Sequence, residues 1–445
     1  MRYFLSSITF IVSFIEEQLM KKILMISYYF TKNEFIGAIR LQGLAKYLPE
    51  FGWEPIILTS TNKKNSQDKY PVFKAYDPGL FTWIKRKIGV KKNQSMADFL
   101  NIQKHSNGIG PKKIIINLGR ELFAYPDVTK NWYPFALETA NEILKNYDIE
   151  AIISSSSPVT THLIASTLKR KYNIIWLADL RDLWTQNHYY KYSVFRKSIE
   201  KKMEKKSLKS ADAIITISEP LVYELKKIHV DKPVFSILNG FDLEKLNFNP
   251  PDFNYFSICY TGNLYQGRRD PGQLLAAISK LCKEGKINKK VLRIDFFGNY
   301  GNWLTREIEK FNLQDVFTLH GNVMREIAIE NQCKAQLLLL LTWNDPAEKG
   351  VYTGKLFDYL AARRPILSLG YTDGGVVKEL LDQTQAGVHC SNEAELREYL
   401  LKAYREYKEL GAVQYRGIEA EVMKYSHREM ARKFAEVLEE VAGGN

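Results

Sequence analysis

Several stretches of this sequence combine residue types and spacings that suit the binding of a phosphorylated ligand. In Gly350-Val-Tyr-Thr-Gly-Lys-Leu-Phe-Asp358, an apolar run from Ala335 to Leu341 leads into a loop and then a helix start. Free backbone N–H groups and a partial positive charge at such a start favour phosphate, and Gly354 and Lys355 fit that role. Thr353 is placed to cap the helix. Asp358, one turn in, suits hydrogen bonds from ribose hydroxyls. A second stretch, Thr261-Gly-Asn-Leu-Tyr-Gln-Gly-Arg-Arg-Asp270, puts Gly262, Arg268 and Arg269 before another helix, a composition suited to pyrophosphate. A third, Asp179-Leu-Arg-Asp-Leu-Trp184, places Asp179, Arg181 and Asp182 at the end of an apolar strand, where charges must pair or work. Gly37, Arg40 and His162 occupy comparable strand-to-helix loops. Each also has a plain reading: capping at Gly354 and Lys355, a solvated face for Asp358, an ion pair near Asp179, a turn at Gly37, a solvated Arg40 and a structural His162.

The elements that must position these residues alternate between strand and helix. Strand Ile23 to Ser27, a loop containing Gly37, helix Arg40 to Phe51 ended by Gly52, and strand Trp53 to Leu58 form a first β-loop-α-β unit. A helix from about Trp132 to Tyr147, strand Ala151 to Ser154, a Ser/Thr-rich loop with a helix through Leu168, strand Ile174 to Ala178 and strand Ala211 to Ile217 continue it. The pattern restarts at Phe256 to Tyr260 and runs through Leu292 to Gly298, Phe317 to Gly321 and Ala335 to Leu341. Pro365 is expected to end the helix after Thr353, with Ile366 to Leu369 extended. The boundary between the two halves is expected near residues 240–255, with Pro250 and Pro251 as linker, and a final amphipathic helix spans about Arg428 to Val441.

A chain of 445 residues exceeds one core, and 45% hydrophobic with 25% charged residues describe a globular protein. The formal charge of +13 calls for anionic partners: nucleic acid, phosphorylated ligands or an acidic membrane face. No basic-aromatic nucleic-acid module is evident. The four cysteines are far apart and the seven histidines dispersed, so neither a disulfide framework nor a protein-bound metal is expected. Phe4 to Ile15 is apolar but too short to span a bilayer, and residues 1–19 read as an over-extended start or a short interfacial anchor. Phe81 to Lys92 interleaves aromatic and aliphatic residues with basic ones, as on an anionic membrane or an amphipathic surface helix. The lysine-rich helix Val194 to Lys209 reads as a solvated face, with membrane contact as the sharper option.

The order of motifs resembles glycosyltransferase family 4 (glycosyl transferases group 1). The resemblance rests on Ser27-Tyr-Tyr-Phe30 with Gly37 and Arg40, Ser154-Ser-Ser-Ser-Pro158, Ala211 to Ser218, Leu238-Asn-Gly-Phe-Asp242, Tyr260-Thr-Gly262 and Gly354 to Leu367. It implies the GT-B fold: α/β, with two Rossmann-like doubly wound domains facing across a cleft and a C-terminal helix packing across them. The expected division is 1–19 outside the core, 20–240 an acceptor domain, 241–420 a nucleotide-sugar donor domain and 421–445 a helix returning toward the first domain.

The activity implied is retaining transfer of a sugar from a nucleotide-diphosphate sugar to a hydroxyl of a saccharide or lipid-linked acceptor. A place in bacterial surface polysaccharide synthesis follows from family habit and charge. The implied protein is cytoplasmic, at most peripheral at the inner membrane surface. It needs no metal or other cofactor and no nucleic-acid partner. Carried residue by residue, the family's paired glutamates fall on Gly350 and Asp358, so only Asp358 matches. Arg268, Arg269 and Lys355 stand for the family's Arg and Lys on the donor pyrophosphate. The cleft histidine is replaced by Arg181 and Asp182, which become the expected catalytic residues, with Gly37, Arg40 and His162 on the acceptor side. Gly262, Thr353 and Gly354 complete the donor set. Two rivals stand beside this reading: a sugar-nucleotide epimerase on the same fold, and a non-catalytic nucleotide-sugar-binding protein kept in view by the missing carboxylate at Gly350.

Overall fold

The computed structural model describes residues 20–31, 36–60, 70–78, 125–187, 190, 192–242, 251–343, 345, 350–370 and 373–443. The expectations for residues 1–19 and for the patch Phe81 to Lys92 lie outside them. The chain forms two compact units: Met1–Thr216 with Leu221–Ile237 and Ala431–Asn445, and Ile217–Pro220 with Leu238–Met430.

The first unit is built on a seven-stranded sheet. Its strands are β1 (Lys21–Ile26), β2 (Trp53–Ser60), β3 (Val72–Ala75), β4 (Ile149–Ser156), β5 (Ile175–Leu180), β6 (Ala213–Thr216) and β7 (Val234–Ser236). All pair parallel in the order β3-β2-β1-β4-β5-β6-β7. Helices α1 (Ile36–Tyr47), α2 (Tyr133–Asn146), α3 (Thr160–Tyr172) and α4 (Val194–Leu208) supply crossovers and cover. Helix α1 starts earlier than its apolar stripe suggested and passes into a short 3-10 turn, Leu48–Phe51, ended by Gly52 in the left-handed region. Leu24, Ile26, Ile152, Trp176 and Ile214 lie in one core beneath the helices.

Helix α5 (Glu219–Lys226) leads into β7, and the second unit is built on β8 (Phe256–Thr261), β9 (Leu292–Phe297), β10 (Phe317–Gly321), β11 (Leu337–Leu341), β12 (Ile366–Leu369) and β13 (Gly387–His389). These too are parallel, in the order β10-β9-β8-β11-β12-β13. Strand β11 is an unbroken leucine run because both sheet faces are covered. Leu337, Leu339 and Leu341 enter one apolar cluster, and Leu338 and Leu340 the other. Helices α6 (Gly272–Lys283), α7 (Asn302–Lys310), α8 (Arg325–Lys334), α9 (Gly354–Ala362), α10 (Gly375–Thr384) and α11 (Glu393–Leu410) flank it. Helix α9 ends at Ala362 because Arg363 turns left-handed as its cap, two residues before Pro365. After α12 (Glu419–Met423), the last helix α13 runs over His427–Gly443.

Each sheet reverses its strand order once, between β1 and β4 and between β8 and β11. Loops leaving the carboxyl ends of strands at such a reversal diverge to opposite faces and leave a crevice where ligands bind. Gly37 follows β1, His162 follows β4, Gly262 follows β8, and Lys355 follows β11. Most of the residues singled out for chemistry therefore sit at the two reversal points, while Arg181 and Asp182 follow the neighbouring β5.

Candidate functional site

In the first unit, the charges at the end of β5 are mostly spent on structure. Asp179 is fully buried and accepts from Arg40 Nη2 at 2.9 Å, from Arg40 Nε at 3.2 Å and from Ser155 Oγ at 2.7 Å. Arg40 also donates to the Ile237 carbonyl at 2.9 Å and lies over the Phe434 ring. Arg40, expected on the acceptor side, is thus buried and engaged in an internal ion pair. His162 is enclosed rather than saturated, as in its structural reading. It is fully buried on α3 with Nδ1 2.8 Å from Ser154 Oγ, and burial pushes its pKa down to about 4. A neutral, enclosed imidazole is a core residue.

Arg181 and Asp182 lie nearer to solvent. Arg181 Nε donates to the Ser156 carbonyl at 2.9 Å, and a Cβ at Gly37 would come within 2.4 Å of Arg181 Nη2. Gly37 is thus a close-approach glycine, there to admit the guanidinium. Asp182 is exposed on the rim of a pocket of about 370 Å³ that also involves Ser157, Trp184, Tyr190, Tyr192 and Glu200. The wall residues Trp184 and Glu200 were not singled out by sequence. Trp184 Nε1 donates to Glu200 at 3.0 Å, and Glu200 pairs with Arg196 one helical turn away at 2.6 Å. Their signal, an acid four residues after an arginine inside a lysine-rich helix, is indistinguishable from an ordinary surface pair.

The second unit holds the opposite arrangement. Lys355, in the first turn of α9, is partly exposed as a residue, but its Nζ is buried and has no hydrogen-bond or ion-pair partner among the described residues. It sits 4.0 Å from the Tyr260 ring centre. Burial, and secondarily the Arg269 charge, hold its pKa well below the ordinary 10.5. Gly262 faces it so closely that a Cβ there would lie 2.7 Å from Nζ. Arg269 lies over Tyr265, and its Nε is likewise buried without a partner among the described residues. Thr353 occupies the N-cap of α9, but its side chain makes no capping bond and its buried hydroxyl is unpaired among the described residues, which corrects the expected cap. Two basic side chains, an open helix start and an idle hydroxyl therefore lie close together, and Lys355 Nζ has no anion paired with it among the described residues.

Asp358 pairs with Arg325, at the start of α8. Burial raises its pKa while Arg325 opposes the rise. Arg325 was missed by the sequence reading, since one arginine after a strand carries little signal. Arg268 is exposed and stacks 4.7 Å from the Trp343 ring centre, beside a pocket of about 510 Å³ that includes Thr342, Gln273 and Asp345. Arg268 and Arg269 thus separate: Arg269 faces Lys355, and Arg268 lines the neighbouring pocket. The missing carboxylate at Gly350 has a steric side, because a Cβ there would lie 2.7 Å from Pro220 Cβ. Among the described residues no group of His, Cys, Asp and Glu is arranged to hold a metal ion.

Comparison with known proteins matches this geometry to a family. Residues 38–245 fit the model of Glycosyltransferase Family 4. A search of curated protein sequences returns no match. Among solved structures, the chain is similar to sucrose-phosphate synthase from Thermosynechococcus elongatus, at 13% identity and a TM-score of 0.62 over 96% of this chain and 100% of that one. It is similar to Anabaena Alr3699/HepE in complex with UDP, at 11% identity and a TM-score of 0.60 over 95% and 100%. It also resembles the lipopolysaccharide outer core galactosyltransferase WaaB, at 10% identity and a TM-score of 0.53 over 94% and 99%. With two Rossmann-like parallel-sheet units the chain has the fold of the GT-B structures, and its residues 38–245 match the Glycosyltransferase Family 4 model.

Proposed function

We propose that the protein transfers a sugar, with retention of configuration, from a nucleotide-diphosphate sugar held in the second unit to a hydroxyl of a saccharide or lipid-linked acceptor. The observation that carries this reading is the buried Lys355 Nζ, which faces Arg269 and Gly262 with no counter-charge among the described residues. A buried lysine without a counter-charge is costly to protonate unless a ligand completes it, and a diphosphate matches two basic side chains and a helix start. Asp358 and Arg325 then meet the ribose, and Arg268 lines the adjoining pocket. Of the neighbours, HepE was crystallised with UDP and with UDP-glucose, which makes uridine nucleotides the first donors to test.

In the transfer itself, the bond from the sugar's anomeric carbon to the diphosphate oxygen breaks as a bond to the acceptor oxygen forms on the same face. The acceptor hydroxyl's proton passes to the leaving phosphate. Lys355 and Arg269 stabilise the charge that builds on the diphosphate, so this reading needs no metal. Asp182, exposed at the rim of the first-unit pocket, accepts a hydrogen bond from the acceptor. Surface polysaccharide synthesis, with the protein peripheral to a membrane, completes the reading; no helix of the described residues is long and apolar enough to cross one.

The test is a thermal-shift screen against UDP, GDP, ADP and their sugar conjugates, repeated with Lys355→Met. Stabilisation by one nucleotide class, lost in the variant, is the expected result. A wild-type protein unmoved by every nucleotide overturns the donor assignment.

A further inference from the structure

We infer that the outer face of α4, Val194–Leu208, is a docking surface for an anionic lipid membrane. The helix sorts its charges by sign. Its acids face inward: Glu200 pairs with Arg196 and accepts from Trp184, and Glu204 accepts from the Thr185 amide at 3.1 Å. Both are buried to within 1% of complete. Its lysines face outward: Lys197, Lys201, Lys202, Lys205 and Lys206 are exposed, followed by Lys209 just past the helix end. None of them forms an ion pair among the described residues, and no exposed acid interrupts them on the helix.

The same face carries apolar residues at its amino-terminal end. Val194 is 86% exposed, Phe195 77% and Ile199 40%. At helical spacing, Phe195 and Ile199 head a line that continues through Lys202, Lys206 and Lys209, while Val194 heads one through Lys197, Lys201 and Lys205. An apolar tip followed by ranked lysines suits an interface where side chains enter the acyl boundary and ammonium groups reach lipid phosphates. A nucleic acid would use the lysines but leave Val194 and Ile199 without an apolar partner. A second copy of the same face would set six like charges against six. Wall residues of the Asp182 pocket, Tyr192 and Glu200, lie just before and within this helix, so a membrane on its outer face lies one helix thickness from that pocket. In that respect the inference rests on the proposed lipid-linked acceptor and gives it a surface.

The test is co-sedimentation of the full chain with vesicles of phosphatidylcholine containing about one third phosphatidylglycerol, against phosphatidylcholine alone, with no nucleotide sugar present. Binding only to the anionic vesicles, weakened by salt, is expected. Reversing Lys201, Lys202, Lys205 and Lys206 to Glu together should lower the partition constant at least about 100-fold. Val194→Ser with Phe195→Ser should lower it roughly ten-fold. All of these side chains are exposed, so an unchanged melting temperature certifies the fold. No binding by the wild type, or binding indifferent to both sets of changes, overturns the proposal. So does sensitivity to the lysines alone combined with equal competition by a homopolymeric RNA, which assigns the face to nucleic acid. Because vesicle binding is read without donor, its failure leaves the nucleotide assignment standing, and a failed nucleotide screen leaves the membrane face standing.

Discussion

The ends of β5 and β11 both bring charge to a sheet's carboxyl edge, yet they treat it in opposite ways. At β5, Asp179 and Arg40 bury opposite charges that satisfy each other, with Ser155 and the Ile237 carbonyl taking further hydrogen-bonding capacity. After β11, Lys355 is buried against another cation and an aromatic ring. The first arrangement is complete without a ligand and holds loops together. The second leaves Lys355 Nζ without a partner among the described residues, which the proposed donor would supply. On the proposed reading, buried charge marks the binding site where its partner is missing, and that distinction can be tested by removing one charge at a time.

The largest effect is expected at the completed pair. Arg40→Met leaves Asp179 buried with its main counter-charge gone, and breaking a buried pair this way costs about 3–5 kcal/mol. Denaturant unfolding of the variant should show that loss, while whatever variant protein remains folded binds nucleotide as the wild type does. A loss under 1 kcal/mol, on the order of a surface pair, would show that Arg40 is not structural.

At the incomplete site the sign reverses. Lys355→Met removes an unpaired buried amine at nearly constant volume, so the ligand-free protein should gain about 1–3 kcal/mol while losing its response to nucleotide. The pH dependence follows from the depressed pKa. The unfolded chain binds a proton at Lys355 in the window between the folded value and 10.5, where the folded chain does not. Stability therefore rises with pH across that window and falls as pH drops through the folded value. Subtracting the Lys355→Met melting curve from the wild-type curve at several pH values isolates this slope. Saturating nucleotide should flatten it, because phosphate restores the ammonium and binding takes up a proton. A difference curve with no slope would mean that Lys355 is charged and partnered in the free protein.

The same contrast explains what sequence could convey. The alternation of strands and helices, the parallel sheets and the loops of interest were legible because they rest on local periodicity and on Gly and Pro at fixed places. The five leucines of β11 announced a strand covered on both faces. What stayed hidden was whether a charge is paired, since that depends on residues far apart in the chain. Arg40 and Asp179 are 139 residues apart, and Arg325 and Asp358 are 33 apart. Arg40 read as a solvated or anion-binding residue because nothing near it in sequence revealed Asp179. His162 read as a first-turn helix residue, structural or on the acceptor side, because its partner Ser154 lies on another element. Lys355 was legible as a cation at a helix start, but its lack of a partner was not.

The pair Asp358 and Arg325 lies between the two extremes, with both side chains about a third exposed. Water already serves much of what the pair supplies, so Asp358→Asn should cost no more than about 1 kcal/mol. Its effect on ligand is the sharper reading. If Asp358 accepts from ribose, a nucleoside diphosphate and its 2′,3′-dideoxy analogue should differ in affinity for the wild type, and the difference should shrink in Asp358→Asn as the charged acceptor becomes a neutral amide. Arg325→Gln should keep the preference for ribose while weakening binding of both ligands, because it frees the carboxylate without removing it. An unchanged ribose preference in Asp358→Asn would place this pair with Arg40 and Asp179, as charge complete without a ligand, and leave Lys355 and Arg269 to define the nucleotide site alone.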